Sequence, residues 1–402
     1  MRQWRLIGLF CLAGLLGACG GGGSSSSSSS PSASSPTVAE ANVQPVSVTL
    51  GPEGNYPNGF FTSVTLCVPG TSNCQTVNDI LVDTGSFGLR ILASALTLSL
   101  PGQTDASGNP IGECAPFIRQ FTWGPVATAN VHMSGETASD MPLQVIGAAN
   151  FPGPPADCPN GLPPADTVSS LGANGILGIG TFVQDCGTAC ASSGPSNPGF
   201  YYSCPSSGCV VTTESLQNQV QNPVANFPTD NNGVLIRLPA VGAQGAATAS
   251  GSLIFGIGTQ SNNGLGSARI YTTDDLGNFT TVYAGNSYPL SFIDSGSNGL
   301  FFLNSSVTGI AQCASDSVFY CPSKTSSSTA QNVGQNGTSG SVSFSIANAE
   351  QLFSTNNAAF SDLGGPNAGA FDWGVPFFFG REVFVAIEGA QTPAGPGPYW
   401  AY

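Results

Sequence analysis

From Val43 onward the chain runs as short apolar or alternating stretches separated by Gly, Pro, Asn and Ser: VQPVSVTL, FFTSVTLCV, NDILVD, LQVIG, GILGIG, GVLIRL, GSLIFGIG, VSFSI and VFVAI. Runs of strand length, rich in β-branched and aromatic residues and closed by turn formers, predict antiparallel strands, and few windows carry a helical period. Two short peripheral helices are predicted, over 215–220 (SLQNQV) and 348–354 (NAEQLFS). The polar, low-complexity tract 323–341 reads as an exposed loop. The expected fold class is all-β.

At 402 residues the chain is long enough for two lobes with cores of their own. Charged residues make up only 7%, which fits a secreted, turn-rich β protein. The N-terminus has Arg2 and Arg5, an apolar run from Leu6 to Leu16, and then Leu16-Gly17-Ala18-Cys19. That run is too short to span a bilayer as a mature helix and reads as a targeting segment. Its L-G-A-C ending resembles a bacterial lipobox, which implies a signal peptide over 1–18, a lipid on Cys19 and a Gly/Ser-rich tether over 19–42. Gly20 after that Cys favours the outer membrane of a Gram-negative cell envelope.

The formal net charge of −14 becomes more negative once Arg2 and Arg5 are removed, so a nucleic-acid partner is not expected. Cys11 leaves with the leader and Cys19 takes the lipid, so ten of the 12 cysteines enter an oxidising compartment as up to five disulfides. Short spacings suit Cys67/Cys74, Cys186/Cys190, Cys204/Cys209 and Cys313/Cys321, with Cys114 and Cys158 left to join; other connectivities stay open. A zinc site would draw on His or clustered Cys pairs, and the chain has one histidine, His132, so no metal or cofactor is expected.

One motif occurs twice. Asp83 lies in ILVDTGSFGLRIL and Asp294 in SFIDSGSNGLFFL, both following D-[T/S]-G-S-x-G-L-x-x-L. Each is followed, after nearly equal distances, by an apolar-apolar-Gly: Gly178 in GILGIG and Gly380 in PFFFG. The repeat predicts two copies of one lobe, over 43–240 and 241–402. Two carboxylates brought face to face cannot both ionise; the pair shares one proton, so one member can act as base on a water while the other donates to a carbonyl. Gly85 and Gly296 would let backbone N–H groups approach the carboxylates, Thr84 and Ser295 could bond across the lobe junction, and Ser86 and Ser297 could orient the outer oxygens.

On these residues the chain resembles the pepsin-like, two-lobed aspartic peptidases, over roughly residues 43–390. NGFFTSVTL is similar to that family's opening strand, GILGIG to its first-lobe signature, GSLIFGIG to a second-lobe strand pair and GVPFFFGREVFVAIEG to its closing segment. More narrowly, the mature chain resembles bacterial lipoproteins of the domain-of-unknown-function family DUF3443. The first resemblance implies a bilobal fold, a catalytic dyad of Asp83 and Asp294, a peptide or protein substrate and a monomer. There are departures: Phe87-Gly88-Leu89-Arg90 stands where the family usually continues S-N-L-W, Arg381 where an Asp is common, and the Tyr-Gly of the family's flap has Trp123-Gly124 as its best match.

His132 reads as a strand residue, and no G-x-S-x-G elbow accompanies it for serine chemistry. The glycine-rich stretch 256–266 lacks the Lys and the following helix of a phosphate loop. The expected function is an envelope aspartic endopeptidase. The alternative is a catalytically silent lipoprotein that keeps the same fold as a ligand-binding or envelope-interaction module.

Overall fold

The structure is a computed structural model that describes residues 40–158 and 161–402. The leader, Cys19 and nearly all of the tether lie outside the described residues. Glu40–Tyr402 forms one compact unit built almost wholly of strands, with a few helices of four or five residues.

The duplicated motif marks a duplicated topology. In the first half the strand Cys74–Asp83 pairs in parallel with Gly175–Ile179, placing Asp83 opposite Gly178. Gly175–Ile179 also pairs antiparallel with Phe87–Leu92, the strand leaving the D-T-G-S turn. In the second half Asn286–Ile293 pairs in parallel with Asn367–Trp373, which pairs antiparallel with Leu300–Leu303. In both halves the chain enters, turns at the Asp, returns, and a later strand threads between the two arms. The turn is thus held on both sides by strands whose apolar residues Ile80, Val82, Leu177, Ile293, Phe371 and Trp373 are buried. Each such side chain contributes about 1.5–3 kcal/mol by leaving water, which makes the turn a rigid platform.

The two halves share a base. Val43–Thr49 pairs with Ala249–Phe255, followed in order by Gly233–Arg237, Glu382–Ala386, Tyr399–Ala401 and Ile270–Thr272. Strands from both ends of the sequence therefore lie in one sheet. A second, seven-stranded sheet carries the Asp294 turn.

Five disulfides join Cys67–Cys74, Cys114–Cys158, Cys186–Cys190, Cys204–Cys209 and Cys313–Cys321. The helix expected over 348–354 forms as Ala349–Phe353, its Asn348 side chain accepting from the Gln351 N–H, while 215–220 yields only a 3-10 turn at Leu216–Asn218.

The tract expected as an exposed loop is instead the strand Ser326–Val333, paired in full register with Ser339–Ile346. Its Ser and Thr side chains form an outward ladder (Ser327 with Ser345, Thr329 with Ser343), while Ala330 and Asn332 are buried. The period of two is present, but its inward residues are too small or too polar to show in a hydrophobicity reading.

Candidate active site

Asp83 is the last residue of its strand and Asp294 directly follows Ile293, so both carboxyls emerge at the same point of the repeated topology. Their surroundings match pairwise. Gly85 N–H donates to Asp83 Oδ1 (2.8 Å) and the Ser86 hydroxyl to Asp83 Oδ2 (2.5 Å). Gly296 N–H donates to Asp294 Oδ1 (2.7 Å) and the Ser297 hydroxyl to Asp294 Oδ2 (2.8 Å). Both side chains are at least nine-tenths buried.

The two loops interlock one layer below. Thr84 N–H donates to Ser295 Oγ (3.1 Å) and Ser295 N–H to Thr84 Oγ1 (2.9 Å). The hydroxyls then donate back, Thr84 to the Ile293 carbonyl (3.1 Å) and Ser295 to the Val82 carbonyl (2.7 Å). All four groups are buried and satisfied, so the grip fixes one loop against the other.

The glycines set how close the acids lie. A Cβ on Gly85 would fall 2.6 Å from Asp294 Cγ, and one on Gly296 would fall 2.6 Å from Asp83 Oδ1. Each loop backbone thus sits against the opposite carboxyl, and a Cβ on Gly296 would meet both acids at once, Asp83 Oδ1 at 2.6 Å and Asp294 Oδ1 at 3.1 Å. Burial, then the Asp294 charge, hold the Asp83 carboxyl well above the usual carboxylate range, with the Ser86 hydroxyl and Gly85 N–H acting the other way. One proton is therefore retained on the pair in mild acid.

The acids lie on the floor of a cleft of about 1270 Å³ whose walls include Tyr56, Phe87, Phe117, Leu276, Phe301 and Phe319. Leu276 and Ile118 stand 76% and 68% exposed at its rim, an apolar edge suited to side chains of a bound chain. A hairpin of Ile111–Pro116 and Phe121–Met133 projects beside the cleft. Its tip is Phe117–Gln120, closed by a Phe117 N–H to Gln120 carbonyl bond of 2.8 Å. From that tip the Arg119 guanidinium reaches over the Phe301 ring of the other half, 5.9 Å from its centroid.

Two sequence expectations are corrected here. Trp123 and Gly124 are not the part of the hairpin that meets the cleft. Trp123 is buried in a small core with Phe151 and Tyr202, its Nε1–H donating to the Pro152 carbonyl (2.7 Å), and a Cβ on Gly124 would collide with the Val145 carbonyl. The cleft-facing tip is Phe117–Gln120. In the second half, the counterpart of Gly178 is Gly374, not Gly380. Asp294 N–H donates to the Trp373 carbonyl (3.1 Å), and a Cβ on Gly374 would strike the carbonyls of Gly299 and Ser297, as one on Gly178 would strike Phe87 and Gly88. Gly380 lies beyond a short helical turn and adopts φ 72°, where glycine is favoured for the bend itself. Arg381 accordingly lies away from the acids, stacked on Phe377.

The departure at Arg90 has a structural partner. Its guanidinium is buried, contacts Glu113 Oε1 on the hairpin, bonds Asp185 Oδ2 (3.0 Å) and donates to the Phe87 carbonyl (2.8 Å). Tyr201 donates to Asp185 Oδ1 (2.6 Å) and accepts from the Val220 N–H (2.7 Å). Arg90 thereby ties the strand leaving the Asp83 turn to the hairpin.

Sequence reasoning missed Asp372 and Tyr56. Asp372 is buried and its Oδ2 lies 2.7 Å from Ser297 Oγ. Burial and the Asp294 charge hold it well above the carboxylate range. The Tyr56 hydroxyl donates to the Gly296 carbonyl (3.4 Å); burial and the charges of Asp294, Asp83 and Asp372 push its pKa up, so it stays a neutral donor beside the pair. The signal for Asp372 was the apolar-x-apolar-Gly of FDWG, hidden by the acid itself.

Comparison with known proteins agrees with this architecture. A family model described as protein of unknown function (DUF3443) matches residues 38–402. No curated protein matches the chain. Among solved structures, the aspartic proteinase from Irpex lacteus superposes with a TM-score of 0.52 at 13% identity, covering 89% of this chain and 96% of that one. The shared feature is the pepsin-like fold.

Proposed function

The chain belongs to the DUF3443 family, and from the geometry of its cleft we propose that it is an aspartic endopeptidase, hydrolysing peptide bonds with water activated between Asp83 and Asp294. The observation that carries this reading is the pair of buried carboxyls, each held by one glycine N–H and one serine hydroxyl and each set against the glycine of the opposite loop. The pair in its singly protonated state supplies both halves of the chemistry. The ionised carboxylate takes a proton from water as its oxygen bonds to the peptide carbon, and the neutral acid gives its proton to the carbonyl oxygen. The proton taken from water then passes to the amide nitrogen as the C–N bond breaks, and a hydroxyl proton of the tetrahedral intermediate returns to the acid that had given its proton to the carbonyl oxygen, which restores the singly protonated pair.

The cleft's length and apolar rim favour an extended peptide segment as substrate. Tyr56 is a neutral donor beside the pair, and Arg119 is a cation over the cleft. At the other end of the chain, the L-G-A-C stretch ending at Cys19 supports an envelope lipoprotein tethered by lipid.

The competing reading, a silent binding module, is favoured by the hairpin tip, which carries Arg119 rather than a phenol. It leaves unexplained why two acids are kept together in a buried setting, at a cost that binding does not require. A peptide with a hydroxymethylene in place of the scissile carbonyl separates the two. A catalyst binds that mimic of the tetrahedral intermediate at least about a hundredfold more tightly than the parent peptide, and loses the preference in Asp83→Asn; a binding module treats both alike.

A further inference from the structure

The Ser297 hydroxyl sits between two acids, 2.8 Å from Asp294 Oδ2 and 2.7 Å from Asp372 Oδ2. It has one hydrogen. For both contacts to be hydrogen bonds, one of the two carboxyls must be protonated and donate to Ser297 Oγ.

Asp372 is the protonated one. It is 2% exposed and its Oδ1 has no hydrogen-bond partner among the described residues. An ionised carboxylate with one oxygen buried and unpaired is far costlier than a neutral acid whose carbonyl oxygen lacks a bond. Asp294, by contrast, has both oxygens occupied. The hydrogens therefore run from Asp372 to Ser297 and from Ser297 to Asp294.

The duplicated fold shows that no packing requirement puts an acid there. Asp372 pairs opposite Phe292, two residues before Asp294. In the first half the residue opposite Leu81, two before Asp83, is Ile176, buried in an apolar cluster. Ser86 bonds Asp83, and among the described residues its hydroxyl has no second carboxyl partner.

We propose that Asp372 is a positioning residue for the reaction, acting through Ser297 on Asp294 and extending cleavage towards neutral pH. The inference rests on the endopeptidase reading. In acid, neutral Asp372 fixes Ser297 as a donor to Asp294. When Asp372 loses its proton, Ser297 turns to donate to it, and the new negative charge makes the Asp83/Asp294 pair hold its shared proton more tightly. The singly protonated pair then survives to higher pH. The groups facing Asp372 are the carboxyls of Asp294 and Asp83, which oppose its ionisation, the Arg119 guanidinium, which favours it, and the neutral Tyr56 phenol.

The test is the pH profile of kcat/KM for Glu40–Tyr402, wild type beside Asp372→Asn and Asp372→Ile. Asp372→Asn keeps a donor to Ser297 but cannot ionise: its acid limb coincides with wild type and its alkaline limb falls by about one pH unit. Asp372→Ile, which installs the first-half residue type, removes the donor and lowers kcat about tenfold with KM nearly unchanged. A wild-type alkaline limb in Asp372→Asn overturns the inference and leaves the endopeptidase reading standing. A wild type that cleaves nothing overturns both. A proton titration of the folded proteins provides a readout independent of cleavage: above the ordinary carboxylate range of about pH 4, the wild type retains one more proton than Asp372→Asn, and equal uptake overturns the inference.

Discussion

Thr84 and Ser295 exchange hydrogen bonds across the floor of the cleft, each backbone N–H donating to the other's hydroxyl oxygen at 3.1 and 2.9 Å. The two residues are 211 positions apart, so this exchange is where the halves of the chain are locked in register. Thr84→Val keeps the shape and removes the oxygen, leaving the Ser295 N–H buried and unpaired. The expected loss is about 1–3 kcal/mol of unfolding free energy, measured by denaturant titration, with cleavage reduced at least tenfold. Unchanged stability would show that the grip is slack.

Gly85 and Gly296 measure how closely the acids are set. Gly85→Ala places a methyl 2.6 Å from Asp294 Cγ, so the opposite carboxyl has to move. A displacement near 1 Å at reacting groups costs about a hundredfold in rate. The variant is expected to fold, since the clash is with a side chain, and to lose about that factor in kcat. Retention of full activity would mean that the spacing is not critical.

Stability should fall as pH rises. The carboxyls of Asp83, Asp185 and Asp372 are all held well above the carboxylate range in the fold, mainly by burial and then by neighbouring acids. A raised folded value means that the native state binds protons the unfolded chain has released. That stabilising contribution is complete below the unfolded carboxylate value of about 4 and is lost progressively as pH climbs towards the folded values. Melting temperatures between pH 4 and 8 should therefore decline, less steeply in Asp372→Asn. A curve that rises over this window contradicts the assignment.

Arg90, buried behind the Asp83 turn, should matter to stability. Its guanidinium contacts Glu113 Oε1 and Asp185 Oδ2 in a buried cluster, and Glu113 Oε2 has no hydrogen-bond partner among the described residues. Arg90→Met removes the cation from that cluster and leaves Glu113 buried without its partner, at a cost of about 3–5 kcal/mol, read by denaturant unfolding. Arg90→Lys should recover little, because an ammonium cannot span both carboxylates and the Phe87 carbonyl. Full recovery by Lys would show that charge alone is required.

The fold and the acid pair were legible because their signals are local and repeated. Asp83 and Asp294 each carry the turn residues that their geometry requires within four positions, and four of the five disulfides close loops of only a few residues. What was misread depends on contacts made far away in sequence. Gly380 looked like the partner of Gly178 because PFFFG is an unbroken apolar run, whereas the strand that threads behind Asp294 is interrupted by Asp372. Trp123 was attractive as an aromatic beside a glycine, yet strand pairing buries it and leaves Phe117–Gln120 at the tip. Tyr56 carried no local signal, for its position beside the acids is set by the opposite half of the chain.

The most direct measurement is cleavage of an unbiased peptide mixture between pH 3 and 7 by Glu40–Tyr402, with Asp83→Asn and Asp294→Asn in parallel and their folding checked by circular dichroism. The account predicts cleavage by the wild type in acid and its abolition in both folded variants. Absence of cleavage by the wild type throughout that range, or cleavage that survives either substitution, would contradict it.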